Sequence, residues 1–140
     1  MARRYVIKQD SAPSAPISGI DYHATLNEEQ YAAVSSEPGA ALVIAGAGSG
    51  KTRTLTYRVA WLLDHGTDPW NILLLTFTNK AAREMTERVR ALIPIDLSRL
   101  WSGTFHSIAN RILRQHADYL GYTPAFTIMD SDDRKSMIKS

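Results

Sequence analysis

The sequence predicts an α/β fold built on a parallel sheet with helices on both faces. Three observations carry that expectation. Short apolar runs alternate with longer segments of helical periodicity, in the order run, helix, run, helix, run, helix. The runs are too short and too apolar for half-exposed strands, which suits strands buried on both faces. The 140 residues are 44% hydrophobic and 21% charged, an ordinary globular balance in a length that suits one domain.

The elements follow in chain order. Residues 1–22 contain Ser11-Ala12-Pro13-Ser14-Ala15-Pro16 and read as a flexible lead-in; Met1 to Lys8 is basic but no apolar stretch of a signal peptide follows. Leu26 to Ser36 is helical in composition, and either Thr25 with Glu28 or Asn27 with Gln30 could form a capping box. Ala40 to Ala45 reads as a buried strand, and Lys51 to His65 as a helix with Leu55, Val59, Leu62 and Leu63 on one face and Gly66 at its end.

Asn71 to Phe77 is expected to be the second strand. Asn79 to Ile93 is expected to be a helix with Ala82, Met85, Val89 and Leu92 on one side. Leu100 to Phe105 is a third strand, and His106 to Leu120 a long helix with Ile108, Ile112 and Tyr119 in the core, stopped by Gly121. Phe126 to Met129 reads as a fourth strand, with Asp130 capping a further helix. In open parallel sheets ligands bind beyond the carboxyl ends of the strands. The residues after Ala45, Phe77 and Phe105 are therefore expected along one rim.

Several classes are excluded or weakened. No apolar run approaches the ~20 residues that span a bilayer. Cysteine is absent, which rules out disulfides and Cys-ligated metal sites and fits a cytoplasmic location. Sixteen Lys and Arg against fourteen Asp and Glu give +2, too mild to announce nucleic acid. The middle of the chain is locally basic, through Arg53, Arg58, Lys80, Arg83, Arg88, Arg90, Arg99, Arg111 and Arg114. Trp61, Trp70 and Trp101 are expected to pack rather than to stack on a ligand.

The sharpest motif is Ala45-Gly46-Ala47-Gly48-Ser49-Gly50-Lys51-Thr52, a P-loop with Ala in the first position, between an apolar run and a helix. Glycines let successive backbone N–H groups turn inward on phosphate oxygens, and the following helix adds its positive end. Lys51 would bring a charge to the β and γ phosphates, and Thr52 a hydroxyl to Mg²⁺.

Four stretches together resemble one family. Leu26 to Gln30 is similar to the Q-motif, Ala45 to Arg53 to helicase motif I, Thr76 to Met85 to motif Ia, and Gly103 to Ser107 to motif Ib. Their order and spacing resemble the UvrD/Rep/PcrA-type superfamily one DNA helicases, ATP-driven motors that move 3′→5′ along single-stranded DNA. The resemblance implies a RecA-like three-layer P-loop fold, incomplete in this chain. Residues 23–125 would be the first part of the motor domain, and 126–140 the start of an inserted helical subdomain. It implies that Gln30 reads the adenine edge, that Arg53 lies against the base, and that Ala45 to Thr52 hold the phosphates of ATP with Mg²⁺. Phe77, Thr78, Asn79 and Lys80, with Thr104, Phe105 and His106, would meet single-stranded and duplex DNA. Judged alone, Phe77 reads better as core.

Hydrolysis also needs an acidic Walker B residue. The family's Asp-Glu pair does not occur in these 140 residues, and the apolar run ending at Asp130 is followed by Ser131. The expectation is thus a helicase opening segment, cut short, that binds nucleotide weakly, turns it over negligibly and has an open sheet edge that invites self-association. The competing readings are a small P-loop kinase using Asp130 and a nucleotide-sensing module without catalysis.

Overall fold

The computed structural model describes residues 17–129 and 131–139. The greater part of the predicted lead-in, residues 1–16, and the alternative Walker B residue Asp130 lie outside them. The element order is α1 (Tyr22–Thr25), α2 (Glu28–Ser35), α3 (Lys51–Asp64), a 3₁₀ turn (Pro69–Asn71), β1 (Leu73–Thr76), α4 (Asn79–Leu92), β2 (Trp101–Thr104), α5 (Phe105–Gln115), a second 3₁₀ turn (Ala117–Leu120) and α6 (Ser131–Lys139).

The chain is α/β and its sheet is parallel, as the alternation predicts. β1 and β2 pair in register, Leu73 opposite Trp101 and Thr76 opposite Thr104. The sheet has two strands among the described residues. Ala40 to Ala45 joins no ladder, and Ile44 is 88% exposed. The expected first strand is thus corrected, and so is the fourth, since 126–129 carries no strand. Both runs have the composition of a strand, but a strand exists only by sharing hydrogen bonds with a neighbour. β1 and β2 take one another; no other described segment takes these two.

Helix ends follow local chemistry. The Asn27 side chain accepts from Gln30 N, and the Gln30 side chain accepts from Asn27 N, completing the second of the two possible capping boxes. Thr78 caps α4 by accepting from Ala81 N, and Thr104 caps α5 by accepting from Ser107 N. The predicted long last helix is two pieces. α5 ends at Gln115, and the 3₁₀ turn after it winds about 120° per residue rather than 100°. That change of pitch takes Tyr119 off the inner face, and Tyr119 is exposed instead of core. Ile112, within α5 itself, is also exposed instead of core, for no described element covers that part of the helix.

α3 stands between two apolar clusters. Val59 and Leu63 join Ile72, Leu74, Met85, Val89, Ile93, Leu97 and Leu100 under the sheet. Its other side carries Tyr57 and Trp61 onto Tyr22, Leu26 and Val34. Trp61 meets the Tyr22 ring edge-on at 5.0 Å and stacks on His65 at 3.9 Å, while Trp70 and Trp101 meet at 5.4 Å. All three indoles pack against other side chains, as expected. Leu62 is half-buried and Leu55 is exposed, so the helix face is narrower than its periodicity suggests.

One polar node lies in this interior. Asp64 is 0% exposed and accepts from Ser18 N at 2.8 Å, from the Ser18 hydroxyl and from the Tyr22 hydroxyl at 2.6 Å. Burial by itself would raise the Asp64 pKa, but these hydrogen bonds outweigh it and hold the carboxyl below its ordinary 3.8. Burial, with Asp64 alongside, pushes the Tyr22 hydroxyl up. The node ties the segment before α1 to the far end of α3.

Candidate nucleotide and nucleic-acid sites

The predicted phosphate loop bends at two of its glycines. Gly48 and Gly50 both take positive φ, +79° and +83°, the left-handed region that only glycine enters freely. Gly50 is the N-cap of α3, and no side chain caps that end. The helix opens with basic Lys51 and no acidic residue in its first turn, leaving its N–H groups and dipole to an anion.

The loop is also closed on itself. Gly46 O accepts from the Ser49 hydroxyl at 2.8 Å and from Lys51 Nζ at 2.8 Å, and Ala45 O accepts from Lys51 Nζ at 3.1 Å. The exposed ammonium satisfies loop carbonyls, groups a triphosphate would have to replace as its partners. Ala47 is exposed in the turn, and Thr52 is exposed in the first turn of α3.

Two helical neighbours close over the loop. Gln30, on α2, donates from Nε2 to Ser49 O at 3.0 Å and accepts at Oε1 from Asn27 N at 3.3 Å. A Cβ added to Gly50 would stand 2.8 Å from that Nε2 and would push the end of the Gln30 side chain aside. Arg53 donates to Thr25 O at 2.8 Å, and its guanidinium lies 5.4 Å from the centre of the Tyr57 ring. A cleft of about 280 Å³ runs between α2 and the loop, lined by Asn27, Gln30, Val43, Ile44, Gly46 and Ser49. A second cleft of about 250 Å³ has Lys51, Leu55 and Arg58 in its wall.

Among the described residues no group of three His, Cys, Asp or Glu could hold a metal ion by itself.

The second site lies at the carboxyl ends of the strands. Thr76 and Thr104 are paired, so the residues that follow them start side by side. Phe77 is 91% exposed and Phe105 51%, with ring centres 5.7 Å apart and planes tilted by 50°. Phe77 is therefore not core. Thr78 and Asn79 open α4, and Phe105 and His106 open α5, so two helix N-termini flank the pair of rings. Lys80 is exposed and loosely paired with Glu84 at 3.9 Å. Two of the three expected rim segments are thus together; the third, after Ala45, leaves no strand.

The features that sequence reasoning passed over are Thr25 as the anchor of Arg53 and the Asp64 node. They join positions 28, 42 and 46 residues apart, beyond any local pattern.

Comparison with known proteins places the chain in a family. Residues 26–140 match the family described as the UvrD/REP helicase N-terminal domain. The chain is 53% identical over 115 residues to ATP-dependent DNA helicase PcrA of Staphylococcus aureus strain Mu50 and 52% identical to that of Staphylococcus epidermidis strain RP62A; each match covers 81% of this chain and 16% of the relative. The chain thus spans about a sixth of the length of these relatives. It belongs to the UvrD/REP helicase N-terminal domain family.

Proposed function

We propose that this chain is the ATP- and DNA-binding opening part of a RecA-like motor domain. In this reading Ala45 to Gly50 wrap the phosphates, Lys51 neutralises the β and γ groups, and Thr52 gives its hydroxyl to Mg²⁺. Gln30 meets the adenine edge and Arg53 lies beside the base. Phe77 and Phe105 stack bases of a single strand, while the N–H groups that open α4 and α5, with Asn79, Lys80 and His106, hold its backbone. The observation that carries the reading is the left-handed Gly48 and Gly50 turn into an uncapped, basic helix start with Gln30 across its mouth.

The parent activity in this reading is ATP-dependent 3′→5′ translocation and unwinding. Residues 23–125 belong to the motor domain and 126–140 begin a helical insertion. The 140 residues hold no Asp-Glu pair, so this stretch binds nucleotide weakly and turns it over negligibly by itself.

Titration of a fluorescent ATP analogue with Mg²⁺ tests the reading. Saturable binding is expected, with Lys51→Ala weaker by about tenfold, the worth of one hydrogen bond to a charged group. Phosphate release should stay at background with and without single-stranded DNA. Equal affinity in wild type and Lys51→Ala would remove Lys51 from the phosphates, and rapid turnover by this chain would refute the dependence on an Asp-Glu pair.

A further inference from the structure

We propose that Gln30 is a positioning residue for the phosphate cradle, in addition to the base contact proposed above, on which this inference builds. Its Nε2 holds the carbonyl of Ser49 at 3.0 Å. No cis peptide bond is found among the described residues, so the Ser49–Gly50 peptide is trans. In a planar trans peptide the C=O and the following N–H point in opposite directions. Drawing the Ser49 carbonyl toward α2 therefore turns the Gly50 N–H away from α2, and that N–H is one of the donors the loop can offer a phosphate.

The bare Gly50 Cα leaves the amide room, since a Cβ there would lie 2.8 Å from Nε2 and shift the end of the Gln30 side chain. Its φ of +83° leaves the peptide orientation poorly fixed by its own sterics. The other end of the amide is anchored, because Oε1 accepts from Asn27 N and Asn27 Oδ1 accepts from Gln30 N at 2.8 Å. The cap of α2 and the aim of a phosphate donor thus share one side chain. Base recognition and phosphate recognition become coupled through Gln30, with no contact needed between the base and the loop.

The test uses a ligand with no base. Inorganic tripolyphosphate with Mg²⁺ is titrated by competition against the fluorescent ATP analogue, on the whole chain. Gln30→Met keeps the volume and removes both hydrogen bonds; tripolyphosphate should bind about five- to tenfold more weakly, the worth of one N–H donor to an anion. Asn27→Ala breaks the same helix cap but leaves the Gln30 amide able to reach Ser49, and tripolyphosphate binding should stay within about twofold. In ¹⁵N spectra without ligand the Gly50 amide resonance should move in Gln30→Met and hold in Asn27→Ala. If the analogue weakens in Gln30→Met while tripolyphosphate and the Gly50 resonance do not change, Gln30 reads the base only and the inference is overturned alone. An equal loss in both variants means helix integrity and overturns it as well. A wild-type chain that binds neither ligand overturns the nucleotide reading and this inference together.

Discussion

The two candidate sites are built by opposite means. The rim at Phe77 and Phe105 depends on a sheet: β1 and β2 hold register, and the rings follow from where Thr76 and Thr104 end. The phosphate loop has no sheet under it, for the run before it pairs with nothing among the described residues. It keeps its turn through two left-handed glycines, the Gly46 and Ala45 carbonyls and the Gln30 clamp. Short-range polar chemistry thus shapes one site, and long-range pairing over an apolar core shapes the other. Perturbations of the core should damage the rim first, and perturbations of hydrogen bonds should damage the loop first.

The largest contrast should come from apolar truncations. Leu63 is almost fully buried under the sheet, and Leu63→Ala should cost about 2–5 kcal/mol. Ile44→Ala, in the unpaired run, should fall within about 0.5 kcal/mol. Urea unfolding checks both, and a large loss from Ile44→Ala would mean the run is packed after all.

Next comes the Asp64 node, which fastens the segment before α1, and with it the Gln30 side, to α3. Asp64→Ala leaves the Ser18 and Tyr22 donors without an acceptor and should cost about 1–3 kcal/mol. The carboxyl is held below 3.8 in the fold. Its contribution is therefore present above that pH and is lost as the pH falls from 3.8 through the lower folded value. Asp64→Asn keeps an acceptor and should flatten that acid loss, measured by thermal unfolding from pH 6 to about pH 3. An unchanged pH profile would show that the node does not feel Asp64's charge.

Phe77→Ala separates binding from stability. With the ring 91% exposed, stability should change by less than about 0.5 kcal/mol, while single-strand affinity should fall by about 1–3 kcal/mol. The smallest effect is a cap. Thr78→Ala removes the acceptor for Ala81 N and should cost about 1 kcal/mol in unfolding, with slight weakening at the rim.

Much of this was legible in the sequence because it is local. α3 and α4 begin where Lys51 and Asn79 predict and end one residue before the expected His65 and Ile93, and the Asn27–Gln30 box is a three-residue signal. The bend at Gly48 and Gly50 follows from the P-loop spacing. The failures are nonlocal. Leu42, Val43 and Ile44 look like a strand because apolarity reports fitness for burial, not the presence of a partner. Tyr119 was misplaced because a change of helical pitch after Gln115 rotates it outward. Phe77 could not be sorted between core and surface, since that depends on what covers the strand end. Asp64 finds partners 42 and 46 residues away, which no periodicity encodes.

In the proposed reading one chain carries a phosphate cradle and a separate nucleic-acid rim. Crossing two variants with two ligands tests it most directly, with a fluorescent ATP analogue and a labelled single-stranded oligonucleotide titrated into Lys51→Ala and Phe77→Ala. Lys51→Ala should bind the nucleotide about tenfold more weakly and keep its oligonucleotide affinity, and Phe77→Ala should lose about 1–3 kcal/mol of oligonucleotide affinity and keep the nucleotide. Parallel loss of both ligands in either variant, or loss of neither, would contradict it.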